Sequence, residues 1–315
     1  MGELSMREAY ARALTDYAGS NPKVMAVDVD TSASTLTSLF AARYPERFVN
    51  VGIAEPCAVD VSAGLALGGM IPFVNAFAAL LALRSLEQIR SCVCYARTNV
   101  KIAASYAGIS DFKDGATHFA VTDIATLRAL PNMTVIVPAD ATEAAQFVPL
   151  VAELDGPGYL RISRGSTLPV HTAGVPLKIG KGILRREGSD LTLIATGSMV
   201  GRSLQAAEQL NAEGVSARVV EIHTIKPIDR EILLSAARET GVLVTVEEHA
   251  RIGGLGGAVA EVLGEECPVP LQRVGLADAF CHTGRDVDGL LDASGLAVAD
   301  IITGAKKALQ QARGG

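Results

Sequence analysis

Short apolar runs rich in Val, Ile and Ala alternate with stretches of helical period along nearly the whole chain. No other feature constrains the fold as tightly. KVMAVD (23–28), IPFVNAF (71–77), NVKIAASY (99–106), MTVIV (133–137) and YLRI (159–162) have strand length and are apolar on both faces, as strands of a covered parallel sheet are. Helices read between them. One opens at the S-x-x-E capping box Ser5–Glu8 and runs to about Tyr17. Another spans Leu80 to Tyr95, with Leu83, Leu86 and Ile89 or Arg90 at three-to-four spacing, and a third spans Ala141 to Glu153. The pattern predicts an α/β, doubly wound, mainly parallel sheet. From Arg164 to Asp190 the alternation lapses into Pro, Gly and charge, with room for edge strands. A second α/β unit then begins at Leu191, with strands at 191–196, 217–222, 242–247 and 271–274. The expected organisation is a first domain over 1–170, a linker over 171–189 and a smaller second α/β domain over 190–315.

Composition agrees. The 315 residues suffice for two domains, and 49% hydrophobic with 20% charged residues allows a large core. Trp is absent, so that core is aliphatic. A net charge of −6 without any Lys/Arg run argues against nucleic-acid or anionic-membrane partners. MGELSMREAY has no apolar signal core, and no run of about 18 apolar residues exists to span a bilayer, so a cytoplasmic protein is expected. Five cysteines are an odd number, and C-x-C at 92–94 without a second pair is a poor zinc signal. Buried free thiols are expected.

The stretch RFVNVGIAEPCAVDVSAGLALGG (47–69) reads as strand, tight turn at Gly52, then apolar helix. Glu55 stands at the turn among Val51, Ile53, Ala54, Val59 and Val61, with no cation nearer in sequence than Arg47. Two readings balance. Acids are common in a first helical turn, and a carboxyl in apolar surroundings gains a raised pKa and moves protons. Asp30, Glu55 and the polar loop 107–118 (AGISDFKDGATH) all follow strands, where ligands bind in open α/β sheets, so they are expected to share one crevice. Gly253–Gly257 does not complete G-x-G-x-x-G, because position 259 is Val, and close helix–strand packing is the better reading. Glu247, Glu248 and His249 suggest a metal, but successive strand residues face opposite ways, which favours a structural or solvated role.

The order of these pieces resembles the C-terminal half of transketolase, over essentially the whole chain. VGIAEPCAVDVSAGLA, KDGATHFAVTDIATLRALPNMTVIVPAD and GYLRISRG carry the resemblance in the first domain; TLIATGS, IHTIKPID and TVEEHARIGGLGG carry it in the second. The resemblance implies a thiamine-pyrimidine-binding domain followed by a transketolase C-terminal domain. No G-D-G followed by Asn-Asn, the family's Mg²⁺–diphosphate motif, is present. The chain is therefore similar to one subunit of a split transketolase. Thiamine diphosphate would lie across an interface with a separate N-terminal subunit that holds most of the Mg²⁺ site, in an α2β2 heterotetramer.

The resemblance also implies roles. Glu55 matches the glutamate that hydrogen-bonds the aminopyrimidine ring. His118 matches the histidine that contacts the substrate carbonyl or hydroxyl and moves protons, Asp114 an aspartate recognising a substrate hydroxyl, and Asp30 one near the thiazolium. Phe77 and Leu80 fall where aromatics flank the aminopyrimidine. Arg7, Ser34 and Arg164 match the phosphate end of the substrate channel, implying a sugar phosphate. The sequence departs from the family pattern at several places: Tyr106 stands where histidine is frequent, Leu80 and Leu83 where Phe and Tyr are usual, Pro56 for Gln or His, and Lys113 for an acid. These departures point to a specialised transketolase acting on an unusual pentose phosphate or a modified sugar. Two other activities suit the same layout: a 1-deoxyxylulose-5-phosphate synthase-like enzyme using pyruvate, and a non-catalytic regulatory subunit. A 2-oxo-acid dehydrogenase β subunit suits it less, since D-G-A-T-H is not its pattern.

Overall fold

The computed structural model describes residues 4–165, 167–171 and 175–314. Among the described residues, twelve strands fall in chain order. Six come from the first half: β1 (Val24–Asp28), β2 (Phe48–Asn50), β3 (Ile71–Phe77), β4 (Lys101–Ser105), β5 (Thr134–Ile136) and β6 (Gly158–Arg161). Six follow: β7 (Ile183–Arg186), β8 (Leu191–Ala195), β9 (Ala217–Glu221), β10 (Thr224–Lys226), β11 (Leu243–Ala250) and β12 (Leu271–Leu276). They form a seven-stranded sheet, β10-β5-β6-β4-β3-β1-β2, and a five-stranded sheet, β12-β11-β8-β9-β7. The first is parallel except for β10, and the second except for the edge strand β7, which lies inside the segment read as linker. Every residue of β1, β4 and β6 is buried, as both-sided helix cover requires.

One strand crosses between the units. β10, within IHTIKPID, leaves the second unit and pairs antiparallel with β5, Thr224 opposite Ile136. A second tie is polar. The buried Arg161 guanidinium donates to Asp123 Oδ2 at 2.7 Å, to Ala120 O at 2.8 Å and to Glu248 O at 3.0 Å, joining β6, the loop after β4 and β11.

Glu247, Glu248 and His249 are structural, and they are fully enclosed where a solvated role was the other expectation. Glu247 accepts the N–H groups of Leu255 and Gly256 at the start of helix Leu255–Glu266. Glu248 accepts from Ile109 N and Ser198 Oγ on the other face. The glycines of 253–257 allow this approach: a Cβ at Gly254 would lie 2.0 Å from Glu247 Oε2.

Two helical expectations need correction. The stretch Leu80–Tyr95 is not one helix. It ends at Arg84, restarts at Leu86 and widens into a π-turn over Ile89–Tyr95. The wider turn sends the adjacent Val93 and Cys94 inward together with Ile89, and leaves Leu83 exposed. Residues 32–35, within the expected loop, form a helical turn. Of the five thiols, all free, only Cys94 is buried and Cys57 is exposed. Among the described residues, no helix is long and apolar enough to cross a membrane.

Lys101, in the middle of the sheet, is 1% exposed; its Nζ donates to the carbonyls of Leu154 (2.6 Å) and Gly156 (2.7 Å). Burial pushes its pKa down to about 7, partly opposed by Asp155. A cation depressed below its unfolded value contributes its full stability only above that unfolded value and loses it as pH falls through the folded one. Relative to Lys101→Met, the native chain is expected to gain on the order of 3 kcal/mol between pH 7 and pH 10, read from paired urea midpoints.

Candidate functional site

The parallel register sets a row of loops along the carboxyl ends of the first sheet. Taken in spatial order, Arg164 follows β6, Tyr106 follows β4, Phe77 closes β3, Asp30 follows β1 and Glu55 follows β2. The buried carboxylate of Asp28 organises the next stretch, accepting from Thr31 N (2.6 Å), Thr37 Oγ1 (2.8 Å) and Thr35 Oγ1 (3.2 Å). Burial raises its pKa and these donors hold it down. Asn50 latches Asp30: its Oδ1 accepts from Asp30 N and Gly52 N, both at 3.0 Å, and its Nδ2 donates to Asp30 Oδ1 at 3.2 Å. Asp30 and Gly52 both have positive φ (69° and 76°), so the latch fixes two tight bends ahead of Glu55.

Glu55 opens helix Glu55–Leu67 and is 3% exposed. It does not cap the helix. Ala54 holds the N-cap position with no side-chain cap, and Pro56 fills a first-turn place where its missing N–H does no harm. The carboxylate instead accepts from Arg84 Nη1 through Oε1, at 2.9 Å. No cation lies near Glu55 in sequence, but the helix after β3 delivers Arg84 from 29 positions away. Oε2 takes no hydrogen bond from the described residues. Leu80, half-buried, lies on the same helix as Arg84.

The second group centres on Tyr106, which has positive φ (60°). Its ring stacks on Phe77 with centroids 4.1 Å apart, and the edge of His118 meets Phe77 at 6.1 Å. Arg7 Nη1 donates to Tyr106 Oη and to the carbonyl of Ser34, both at 2.7 Å. The Arg164 guanidinium lies 5.1 Å from the same ring and donates to Asp111 Oδ1 at 2.9 Å. Asp114, exposed, neighbours Asp111 in the loop, and His118 Nδ1 pairs with Thr117 Oγ1 at 3.0 Å. The fold thus gathers Arg7, Ser34, Phe77, Asp114, His118 and Arg164. Asp30 and Glu55 stand at the adjoining strand ends, with no hydrogen bond to that group. Ser34 takes part through its backbone. Tyr106 takes up the Arg7 contact at the place where the family resemblance implies a histidine.

Asp111 was not among the residues expected from sequence, although D-F-K-D in a glycine-punctuated loop was a visible signal. Arg84 and Asn50 left none. Burial raises the Asp111 pKa to about 6, with Asp114 adding and Arg164 and His118 subtracting. Two guanidiniums on one phenol, with a single buried carboxylate beside them, make a spot suited to a partly anionic, hydroxyl-bearing ligand. Oε2 of Glu55 takes no hydrogen bond from the described residues, and the helix Glu55 opens packs against Ala78–Arg84, which carries Leu80; this suits a flat ring with a hydrogen-bond donor.

Comparison with known proteins identifies the family of the chain. Residues 2–169 match the family model "Transketolase, pyrimidine binding domain", and residues 180–301 match "Transketolase, C-terminal domain". The chain is 39% identical to the 6-deoxy-6-sulfo-D-fructose transketolase subunit SqwH of Clostridium sp., covering 97% of this chain and 95% of that one. It is 37% identical to one subunit of the apulose-4-phosphate transketolase of Phocaeicola vulgatus, over 91% and 95%. A split-gene transketolase solved as an inactive beta4 tetramer superposes with TM-score 0.90 at 46% identity, covering 99% of this chain and all of that one. The chain belongs to the transketolase family and carries its pyrimidine-binding and C-terminal domains. The two relatives are named as transketolase subunits, and the solved structure as a split-gene transketolase.

The electrostatics of the Tyr106 group are open to measurement. Arg164→Ala is expected to raise the Asp111 titration midpoint above its value near 6, and Asp114→Asn to lower it, followed by carboxyl ¹³C NMR. A midpoint unmoved by both changes would contradict this charge arrangement.

Proposed function

We propose that this chain is the C-terminal subunit of a two-subunit, thiamine diphosphate-dependent transketolase, moving a two-carbon ketol unit from a ketose phosphate to an aldose. One observation carries the reading. The fold holds a carboxylate with one free oxygen in the row of strand ends that also carries Phe77, His118 and the Arg7–Tyr106–Arg164 group. Residues 1–170 act as the pyrimidine-binding unit and 190–315 as the C-terminal unit, joined by 171–189.

Thiamine diphosphate, when bound, supplies the carbanion stabilisation that cleaving a bond beside a ketone requires. With that group bound, Glu55 would accept a hydrogen bond from its aminopyrimidine ring, Phe77 and Leu80 would supply an apolar wall, and Asp30 would lie toward its thiazolium. His118 moves a proton at the substrate oxygen, and Asp114 binds a substrate hydroxyl. Arg7 and Arg164, with Ser34 and Tyr106, receive the phosphate end.

On this reading a separate N-terminal subunit holds the diphosphate and Mg²⁺ in an α2β2 assembly, which the names of relatives that are transketolase subunits support. The surface supports a partner at this edge. Ile53 (79% exposed), two residues before Glu55, and Leu67 (78%), Leu83 (55%) and Tyr95 (87%), on the helix that Glu55 opens and on helical segments packed against it, are exposed apolar side chains of the kind a partner covers. The relatives' names, one a sulfosugar and one a branched pentose phosphate, support a substrate outside the common sugar phosphates.

The isolated chain is expected to be inactive with ketose phosphate and aldose, and to gain activity with its partner subunit, thiamine diphosphate and Mg²⁺. In that complex Glu55→Ala is expected to lower kcat roughly 10²–10⁴-fold. Turnover by the lone chain, or an unaffected Glu55→Ala complex, would refute the reading. Turnover that requires pyruvate and releases CO₂ would replace it with the synthase-like activity.

A further inference from the structure

Where the two units meet, apart from the residues of the site above, four buried acidic and imidazole side chains face one another. Asp140 and Glu143 come from the start of helix Ala141–Glu153, His171 from the connecting segment and Glu221 from the end of β9. Their exposures are 2%, 0%, 7% and 0%. Three carboxylates face one guanidinium, Arg185, whose Nε lies 3.8 Å from Glu221 Oε2. With a neutral imidazole and all three carboxyls ionised, the cluster is short of two positive charges, an arrangement that a buried site does not tolerate.

The hydrogen bonds do not make up this deficit. Asp140 is fully used: Oδ1 accepts from Glu143 N, and Oδ2 accepts from Val170 N and His171 N. Glu143 Oε2 accepts from Ala139 N. In contrast, Glu143 Oε1, both oxygens of Glu221 and both ring nitrogens of His171 have no hydrogen-bond partner among the described residues. These unpartnered atoms point at one another. His171 Nε2 is 3.3 Å from Glu221 Oε2 and 3.9 Å from Glu143 Oε1, and the three residues offer ligand atoms that all lie within 4.8 Å. On the other side of the ring, Nδ1 stands 3.4 Å from Asp140 Oδ2.

We propose that Glu143, His171 and Glu221 bind a zinc-type divalent cation that staples the two units and the segment between them. Donors about 2.0–2.1 Å from a tetrahedral ion stand roughly 3.3 Å apart; the His171–Glu221 pair has that spacing, and His171–Glu143 closes from 3.9 Å when the ion binds. One divalent ion supplies both missing charges. Asp140 behind Nδ1 gives the carboxylate–histidine–metal arrangement that fixes a ligand imidazole. One imidazole with two carboxylates favours a first-row ion over Ca²⁺ or Mg²⁺, which take all-oxygen shells. The competing account uses protons alone. Burial opposes charge on the His171 ring, but Asp140, Glu221 and Glu143 outweigh it and hold the pKa up at about 10.

The test uses the untagged full chain. Elemental analysis after gel filtration is expected to find one zinc-type ion per chain. Chelation is expected to lower Tm, and added Zn²⁺ to restore it. Glu221→Gln and His171→Gln are expected to abolish both the bound ion and the Tm response, and Asp140→Asn to weaken binding roughly 10–100-fold. If these variants fail to fold, Co²⁺ in the native chain decides: a tetrahedral visible spectrum without thiolate charge transfer supports the site. A chain that retains no ion and whose Tm ignores Zn²⁺ leaves the proton-only cluster and overturns the proposal. So does an ion that both variants retain.

Discussion

The buried Arg161 guanidinium is the interaction on which the rest of the arrangement depends. It cannot give up its charge, so the fold must surround it with acceptors. Asp123, the carbonyl of Ala120 and the carbonyl of Glu248 do so. Tyr159 adds its hydroxyl to Asp123 at 2.6 Å. The first two acceptors lie at the end of the loop that carries Asp111, Asp114 and His118, and the third lies in the other unit. The same ion set therefore closes the site loop and docks the second sheet.

The two units, in consequence, are not independent beads. β10 completes the sheet of the first unit, Glu248 reaches back to Ile109 N, and the Asp140–Glu143–His171–Glu221 cluster fills the seam. Each link sequesters backbone or charged groups from water, where a missing partner costs about 1–3 kcal/mol. The seam is thus specified by polar satisfaction as much as by apolar packing. The candidate site lies along the strand ends of the first sheet, and its loop 107–118 meets the seam at Ile109.

Much of this was legible in sequence, and the reasons are local. Ser5 and Glu8 announce a helix start that the chain adopts, with Ser5 Oγ accepting from Glu8 N. The strand Ile71–Phe77 and the helix Ala141–Glu153 fall where periodicity put them. Glu55 and the D-G-A-T-H loop were visible because short motifs encode them. Arg84, Asn50 and Asp111 were not seen as site residues, because their partners are made by strand order. The break at Ser85 was hidden as well, since a π-turn keeps the apolar count of a helix while shifting its phase.

By itself the sequence determined the α/β class, the two-unit plan and the row of polar loops after strands, because hydrophobic period and turn chemistry act over a few residues. It also determined which residue types were available for chemistry. Only the tertiary structure decided that Glu55 meets Arg84, that Tyr106 gathers two arginines, that the Glu247–His249 run is enclosed and that β10 joins the other sheet. Those outcomes depend on charges and hydrogen-bonding groups far apart in the chain. Burial forces such groups to find partners, and topology alone chooses which partners they find.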